Sequence, residues 1–115
     1  MIMISHMTAR GLDASAPASL SRAVITTLLR EEMGYDVVVI TDALRMEAIT
    51  ERCGAGEAAV SALLAGADIL LLPEDLGLAA QGIETALLSG RLTEARLNES
   101  VERILALKIQ AGMIQ

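Results

Sequence analysis

The chain has 115 residues, with 9 Lys+Arg against 15 Asp+Glu and a formal net charge of −6, a surplus that repels nucleic-acid phosphates and anionic lipid, so neither is expected as a partner. Apolar residues make up 53% of the chain, too many for a disordered one, and the length suits a single domain spanning 1–115. No apolar run reaches the ~18 residues of a membrane span, and Met1–Met7 lacks the basic segment of a secretory leader, so the reading is a soluble protein of the cytoplasm.

Ile2-Met3-Ile4 is the first of three short apolar runs. The others are Val37-Val38-Val39-Ile40 and Ile69-Leu70-Leu71-Leu72. None alternates apolar with polar, so each reads as a strand buried on both faces of a parallel sheet. A loop, Thr8–Ala18, follows the first strand. Arg22–Met33 then carries Val24, Ile25, Leu28 and Leu29 on one helical face, with Ser19 or Ser21 able to cap it and Gly34 stopping it. Ala58–Ala65 reads as a second helix, ended by Gly66. After the third strand, Leu78–Leu88 forms a helix closed by Ser89-Gly90. Thr93 caps the last one, whose inner face is expected to hold Leu97, Val101, Ile104, Leu105 and Leu107. Glu99, Glu102 and Arg103 are expected on its outer face, with Glu99 and Arg103 paired at i,i+4.

The order is therefore β-α-β-α-β-α-α, an α/β class. Phe and Trp are absent and Tyr35 is the only aromatic, so the core falls to Leu, Ile, Val, Ala and Met, with Met33 and Met46 as gap fillers. Both outer strands would be unpaired apolar edges, which complete folds cover. This points to the last three units of a (β/α)8 TIM-type barrel of ~250 residues, the first five units lying outside the chain. Uncovered, such edges would promote self-association.

In parallel α/β proteins, chemistry gathers at the carboxyl ends of the strands. Three places qualify: Ser5-His6, Thr41-Asp42 and Pro73-Glu74-Asp75. Asp42 can act there as nucleophile, general base or metal ligand, or it can simply cap the following turn. His6 suits acid–base work or a hydrogen bond to substrate, and equally a structural role beside an apolar strand. Glu74-Asp75 reads as a solvated loop or an N-cap, and Asp13 as a bystander in its loop. Cys53 is the only cysteine, so there is neither a disulfide framework nor a thiolate zinc cage, and without a neighbouring base it is read as inert. Gly54-Ala55-Gly56 lacks the spacing of a phosphate cradle.

Taken in order, several segments resemble glycoside hydrolase family 3, and within it the bacterial β-N-acetylhexosaminidase-like branch. They are Pro17-Ala18-Ser19-Leu20-Ser21, then 29–35 (LREEMGY), 38–49 (VVITDALRMEAI), 65–71 (AGADILL) and 100–108 (SVERILALK). The resemblance implies a (β/α)8-type catalytic barrel and hydrolysis of β-linked N-acetylhexosaminides with retention, through a covalent glycosyl-enzyme. It places the nucleophile on Asp42, sugar-pocket positions on Ser5 and His6, and a pocket-wall methionine on Met46. No cofactor or metal is implied. The substrate would be an N-acetylglucosaminide-like carbohydrate, from cell-wall recycling or chitin fragments.

The branch's proton donor, a His–Asp pair on an upstream loop, has no counterpart in these residues. The chain alone is therefore expected to turn over little or nothing. Two other readings stand beside this one: a non-catalytic remnant that docks on another chain, and a receiver- or flavodoxin-like signalling module phosphorylated on Asp42.

Overall fold

β2 (Val39–Thr41) pairs in parallel with β1 (Ile2–Ile4), Ile2 opposite Val39, Met3 opposite Ile40 and Ile4 opposite Thr41, in the computed structural model, which describes residues 1–115. β2 is buried along its length, as its unbroken apolar sequence requires. β1 is not: Met3 is 54% exposed and Ile2 is also exposed, so the expectation of burial on both faces fails for β1. Only one side of β1 is occupied, by β2.

The third apolar run does not form a regular strand. It meets β2 through a single bridge, Ile40 to Ile69. Beyond it the Leu71 N–H is taken by the Thr41 hydroxyl at 3.1 Å rather than by a backbone carbonyl. Leu72 then turns into the left-handed region at φ 42°. A side-chain acceptor and a reversed backbone angle together end the ladder after one residue.

Between the strands lie a 3₁₀ turn (Ala18–Leu20) and a helix, Ala23–Glu32, whose backbone bonds step five residues instead of four, a π-helix. The Ser21 hydroxyl accepts from Val24 N at its start, and Gly34, at φ 71°, turns the chain beyond its end. A short helix, α1 (Glu47–Thr50), follows β2 and was not foreseen from the sequence. α2 (Ala55–Ala65) begins three residues earlier than its apolar pattern suggests and ends at Gly66 in the left-handed region. α3 (Leu76–Ser89) and α4 (Glu94–Gln110) complete the chain. Their caps are Asp75, accepting from Leu78 N at 2.8 Å, and Thr93, accepting from Arg96 N at 3.1 Å.

α2 is the centre of the packing. Ala62 and Ala65 meet Ile25 of the π-helix and Val39 of β2. Val60 and Leu63 meet Ala86 of α3 and Leu92, and Ala58 meets Leu44 and Ile49. Leu70 packs against all three groups. Alanine at most of these contacts lets neighbours close in, which is how a chain with one aromatic fills its interior. Closest of all is the crossing of α2 and α3: a Cβ on Gly82 would lie 2.6 Å from the Gly56 Cα. Tyr35 packs against the Ile25–Val39 group, and its hydroxyl donates to the Val38 carbonyl at 3.2 Å.

Three side-chain expectations fail. Met33 and Met46 are 68% and 44% exposed, so neither fills a core gap. Val101 and Leu105 of α4 are exposed as well. Arg103 does not pair with Glu99 but bridges exposed Asp36, at 2.9 Å, and buried Asp68, at 3.2 Å. Buried Asp68 outbids a solvated glutamate because both partners there are shielded from water.

Candidate active site

Parallel pairing places the exits of β1 and β2 side by side, so Ser5-His6 and Asp42 meet at one end of the sheet. The Asp42 N–H donates to the Ile4 carbonyl at 2.9 Å, which continues the ladder one step and fixes the backbone of the residue. The residue is half-buried. Oδ1 accepts from Ala43 N at 2.7 Å, while Oδ2 accepts no hydrogen bond within the chain. One oxygen is thus held and the other is free. The alternative role of a turn cap is met only by this single contact to the next residue.

His6 is tied at both nitrogens. Nε2 lies 2.8 Å from the Ala43 carbonyl, which can only accept, so Nε2 carries the proton and donates. Nδ1 lies 2.7 Å from the Ser19 hydroxyl, which donates to it in the neutral ring. Ser19 is fully buried. The sequence suggested Ser19 only as a helix cap, and its pairing with His6 was missed because thirteen residues separate them. Ser5 is exposed, and its carbonyl accepts from Ser19 N at 3.2 Å. Met46, exposed at the start of α1, donates its N–H to the Ala43 carbonyl at 3.2 Å. Ser5, His6, Asp42 and Met46 are therefore linked to one small frame built around Ala43 and the 3₁₀ turn.

The remaining candidates lie elsewhere. Asp75 is the α3 cap and Glu74 is exposed beside it. Asp13 organises its loop: Oδ1 accepts from Ser15 N and the Ser15 hydroxyl, at 2.9 and 2.6 Å, and Oδ2 from the Ser21 hydroxyl at 2.7 Å. These bonds, the Ser15 hydroxyl foremost, lower its pKa to about 2. Burial, followed by the charge of Glu57, raises the Cys53 thiol, so it stays protonated near neutrality. No three His, Cys, Asp or Glu side chains gather where they could hold a metal ion.

At the opposite end of β2 stands a carboxylate the sequence did not mark out. Asp68 has a side chain 0% exposed and accepts from Val39 N at 2.9 Å, Arg30 at 2.7 Å, the Ser100 hydroxyl at 2.7 Å and Arg103 at 3.2 Å. Arg96 stands at 4.0 Å and also donates to the Leu63 and Ala67 carbonyls and to Ser100. Burial lowers the Arg96 guanidinium, against the opposing pull of Asp68. For Arg103 burial is outweighed by the hydrogen bond to Asp36 and the charge of Asp68, and its pKa is raised. The only sequence signal is an ionisable residue inside an apolar stretch, together with arginines spaced along two helices.

A parallel α/β scaffold with a half-free carboxylate at the exit of its buried strand defines the class. Comparison with known proteins supplies the family. The glycosyl hydrolase family 3 N-terminal domain matches residues 1–107, and the chain belongs to that family. The β-hexosaminidase LpqI of Mycobacterium tuberculosis is 37% identical over 115 residues, covering 93% of this chain and 29% of that protein. The β-hexosaminidase A of Pseudoalteromonas piscicida is 32% identical, covering 94% of this chain and 21% of its own length. Among solved structures, a family 3 β-N-acetylglucosaminidase from Paenibacillus sp. shows 48% identity and a TM-score of 0.79, covering 82% of this chain and 18% of that one. The Thermotoga maritima β-N-acetylglucosaminidase superposes with a TM-score of 0.84 at 29% identity, covering 90% and 24%. The chain thus spans 29% and 21% of the length of these two curated relatives. The match replaces the signalling-module reading of Asp42.

Proposed function

We propose that this chain carries the nucleophile side of a retaining β-N-acetylhexosaminidase and corresponds to the last three units of a (β/α)8 barrel. The observation that carries this is the Asp42 carboxylate, anchored through Oδ1 and open at Oδ2, at the exit of a buried parallel strand. The substrate class, β-linked N-acetylhexosaminides, is supported by the names of the relatives.

In the proposed reaction Oδ2 of Asp42 attacks the anomeric carbon while the bond to the leaving oxygen breaks, forming a glycosyl ester. Water then cleaves that ester with return of the anomeric configuration, and the aspartate is released as it began. The Ala43 N–H holds Oδ1 throughout, so the attacking oxygen keeps its aim. Ser5 and Met46, exposed beside Asp42, are proposed to line the sugar pocket, with His6 at its base. The leaving oxygen needs a proton. His6 directs both ring nitrogens at protein groups, Ser19 and Ala43, so the donor must come from residues other than these.

The test is release of nitrophenol from an aryl N-acetylglucosaminide. The chain alone is expected to show negligible turnover. Adding a separately produced polypeptide with the preceding barrel units is expected to restore it, and Asp42→Asn to lower kcat by about 10⁴- to 10⁶-fold, the range seen when one catalytic residue is removed. Restored activity that survives Asp42→Asn would refute the assignment.

A further inference from the structure

We propose that His6 is a positioning residue for Asp42, locked by Ser19 and acting through Ala43. The proposal rests on the reading of Asp42 as nucleophile only for its catalytic meaning; the geometry stands without it.

The contacts form an unbroken relay. The buried Ser19 hydroxyl meets Nδ1 at 2.7 Å and donates to it. Nε2–H meets the Ala43 carbonyl at 2.8 Å, and the same residue's N–H meets Asp42 Oδ1 at 2.7 Å. Ala43 is thus gripped on its carbonyl side and grips the carboxylate on its amide side. Met46 N adds a second, longer bond to the same carbonyl, at 3.2 Å.

The ring itself is held firmly. Ser19 N donates to the Ser5 carbonyl and Ala18 N to the Met7 carbonyl, at 3.2 and 2.8 Å, which clips the 3₁₀ turn onto the segment carrying His6. Asp42 N is fixed to Ile4 on the same strand exit. Three stretches of chain, 4–7, 18–19 and 41–43, therefore share one hydrogen-bonded frame, with imidazole as the strut between the last two.

A strut with a donor at one tip and an acceptor at the other, fixed on opposite sides of a rigid ring, cannot be replaced by an apolar side chain of the same volume. Leu at position 6 would fill the space yet leave the Ser19 hydroxyl and part of the Ala43 carbonyl unmatched. Glutamine keeps the donor at the far tip.

His6 is the only histidine in the chain, so its ring nitrogens can be read in long-range proton–nitrogen spectra without assignment. The expected spectrum shows a protonated Nε2 and a bare Nδ1, and Ser19→Ala is expected to move the Nδ1 resonance, which loses its hydroxyl partner, while Nε2 keeps its proton on the Ala43 carbonyl. The second readout is the Ala43 amide resonance, which follows ionisation of Asp42 through the 2.7 Å bond. In His6→Leu the pH-dependent displacement of that resonance is expected to fall by at least about half, with His6→Gln restoring most of it.

A displacement unchanged in His6→Leu would overturn the proposal, as would a ring protonated on Nδ1. Lower thermal stability alone would mark His6 as merely structural. If His6→Leu does not fold, Ser19→Ala decides, since an Ala43 displacement unchanged by loss of the ring's lock at Nδ1 also overturns it. None of these readouts uses a sugar, so failure of Asp42 as nucleophile would show separately, in the activity of Asp42→Asn.

Discussion

The two ends of β2 each carry an aspartate, and the chain treats them in opposite ways. Asp68, at the amino end, is sealed from solvent and accepts from a backbone amide, a serine and two arginines, with a third arginine at 4.0 Å. Asp42, at the carboxyl end, is half-buried and accepts once. A buried charge persists only where every lone pair is matched, and such a group has nothing left to offer a substrate. A carboxylate with one oxygen held and one open is placed but not spent. The same residue type thus ties α4 and the π-helix together at one end and leaves an unpaired oxygen at the other.

The widest separation is expected in stability. Asp68→Ala leaves the shielded Arg30 without a carboxylate and the Val39 N–H and Ser100 hydroxyl without their acceptor, and is expected to lower unfolding free energy by about 3–5 kcal/mol, read from denaturant melts. Asp42→Asn keeps an oxygen for the Ala43 N–H and is expected to change it by no more than about 0.5 kcal/mol. Equal losses would erase the contrast. A smaller effect is expected from Thr93→Ala, which removes the cap of α4 and so loosens the helix bearing Arg96, Ser100 and Arg103. It should cost about 1 kcal/mol, with faster amide exchange in the first turn of α4 and unchanged exchange at Asp42.

The smallest is a pH effect at the carboxyl end. Asp13 titrates at about 2 against its ordinary 3.8, so it favours the ionised form in the folded loop. Its contribution is complete above pH 3.8 and is lost as pH falls through about 2. Carboxyl resonances followed from pH 5 to 1.5 should show that midpoint, with the Ser15 amide moving in step, and Asp13→Asn should abolish the step.

How much of this was legible in the sequence varies by element. α3 and α4 announced themselves through Asp75, Thr93 and Gly90, because caps are local chemistry and need no partner to be read. The π-helix could not be foreseen, since Val24, Ile25, Leu28 and Leu29 share a face whether the bonds step four residues or five. Ile69–Leu72 looked like a strand because its composition is that of one; the Thr41 hydroxyl that interrupts it lies 30 residues away. For the site, a strand-end position singled out Asp42 and His6, and the family resemblance gave Asp42 a role. Ser19 and Asp68 stayed hidden for one reason: each is defined by side chains brought together from distant segments.

The scarcity of aromatic residues has a practical side. Tyr35 is the single near-ultraviolet chromophore of this chain, and it packs on the Ile25–Val39 group with its hydroxyl on Val38, close to the Asp68 cluster. The sole imidazole is at the other end, beside Ala43. Intrinsic fluorescence therefore watches the amino end of β2 and nitrogen-15 resonances of histidine watch the carboxyl end. An unlabelled optical melt and a one-residue spectrum, taken on the same sample, would tell whether the two ends let go together or one before the other.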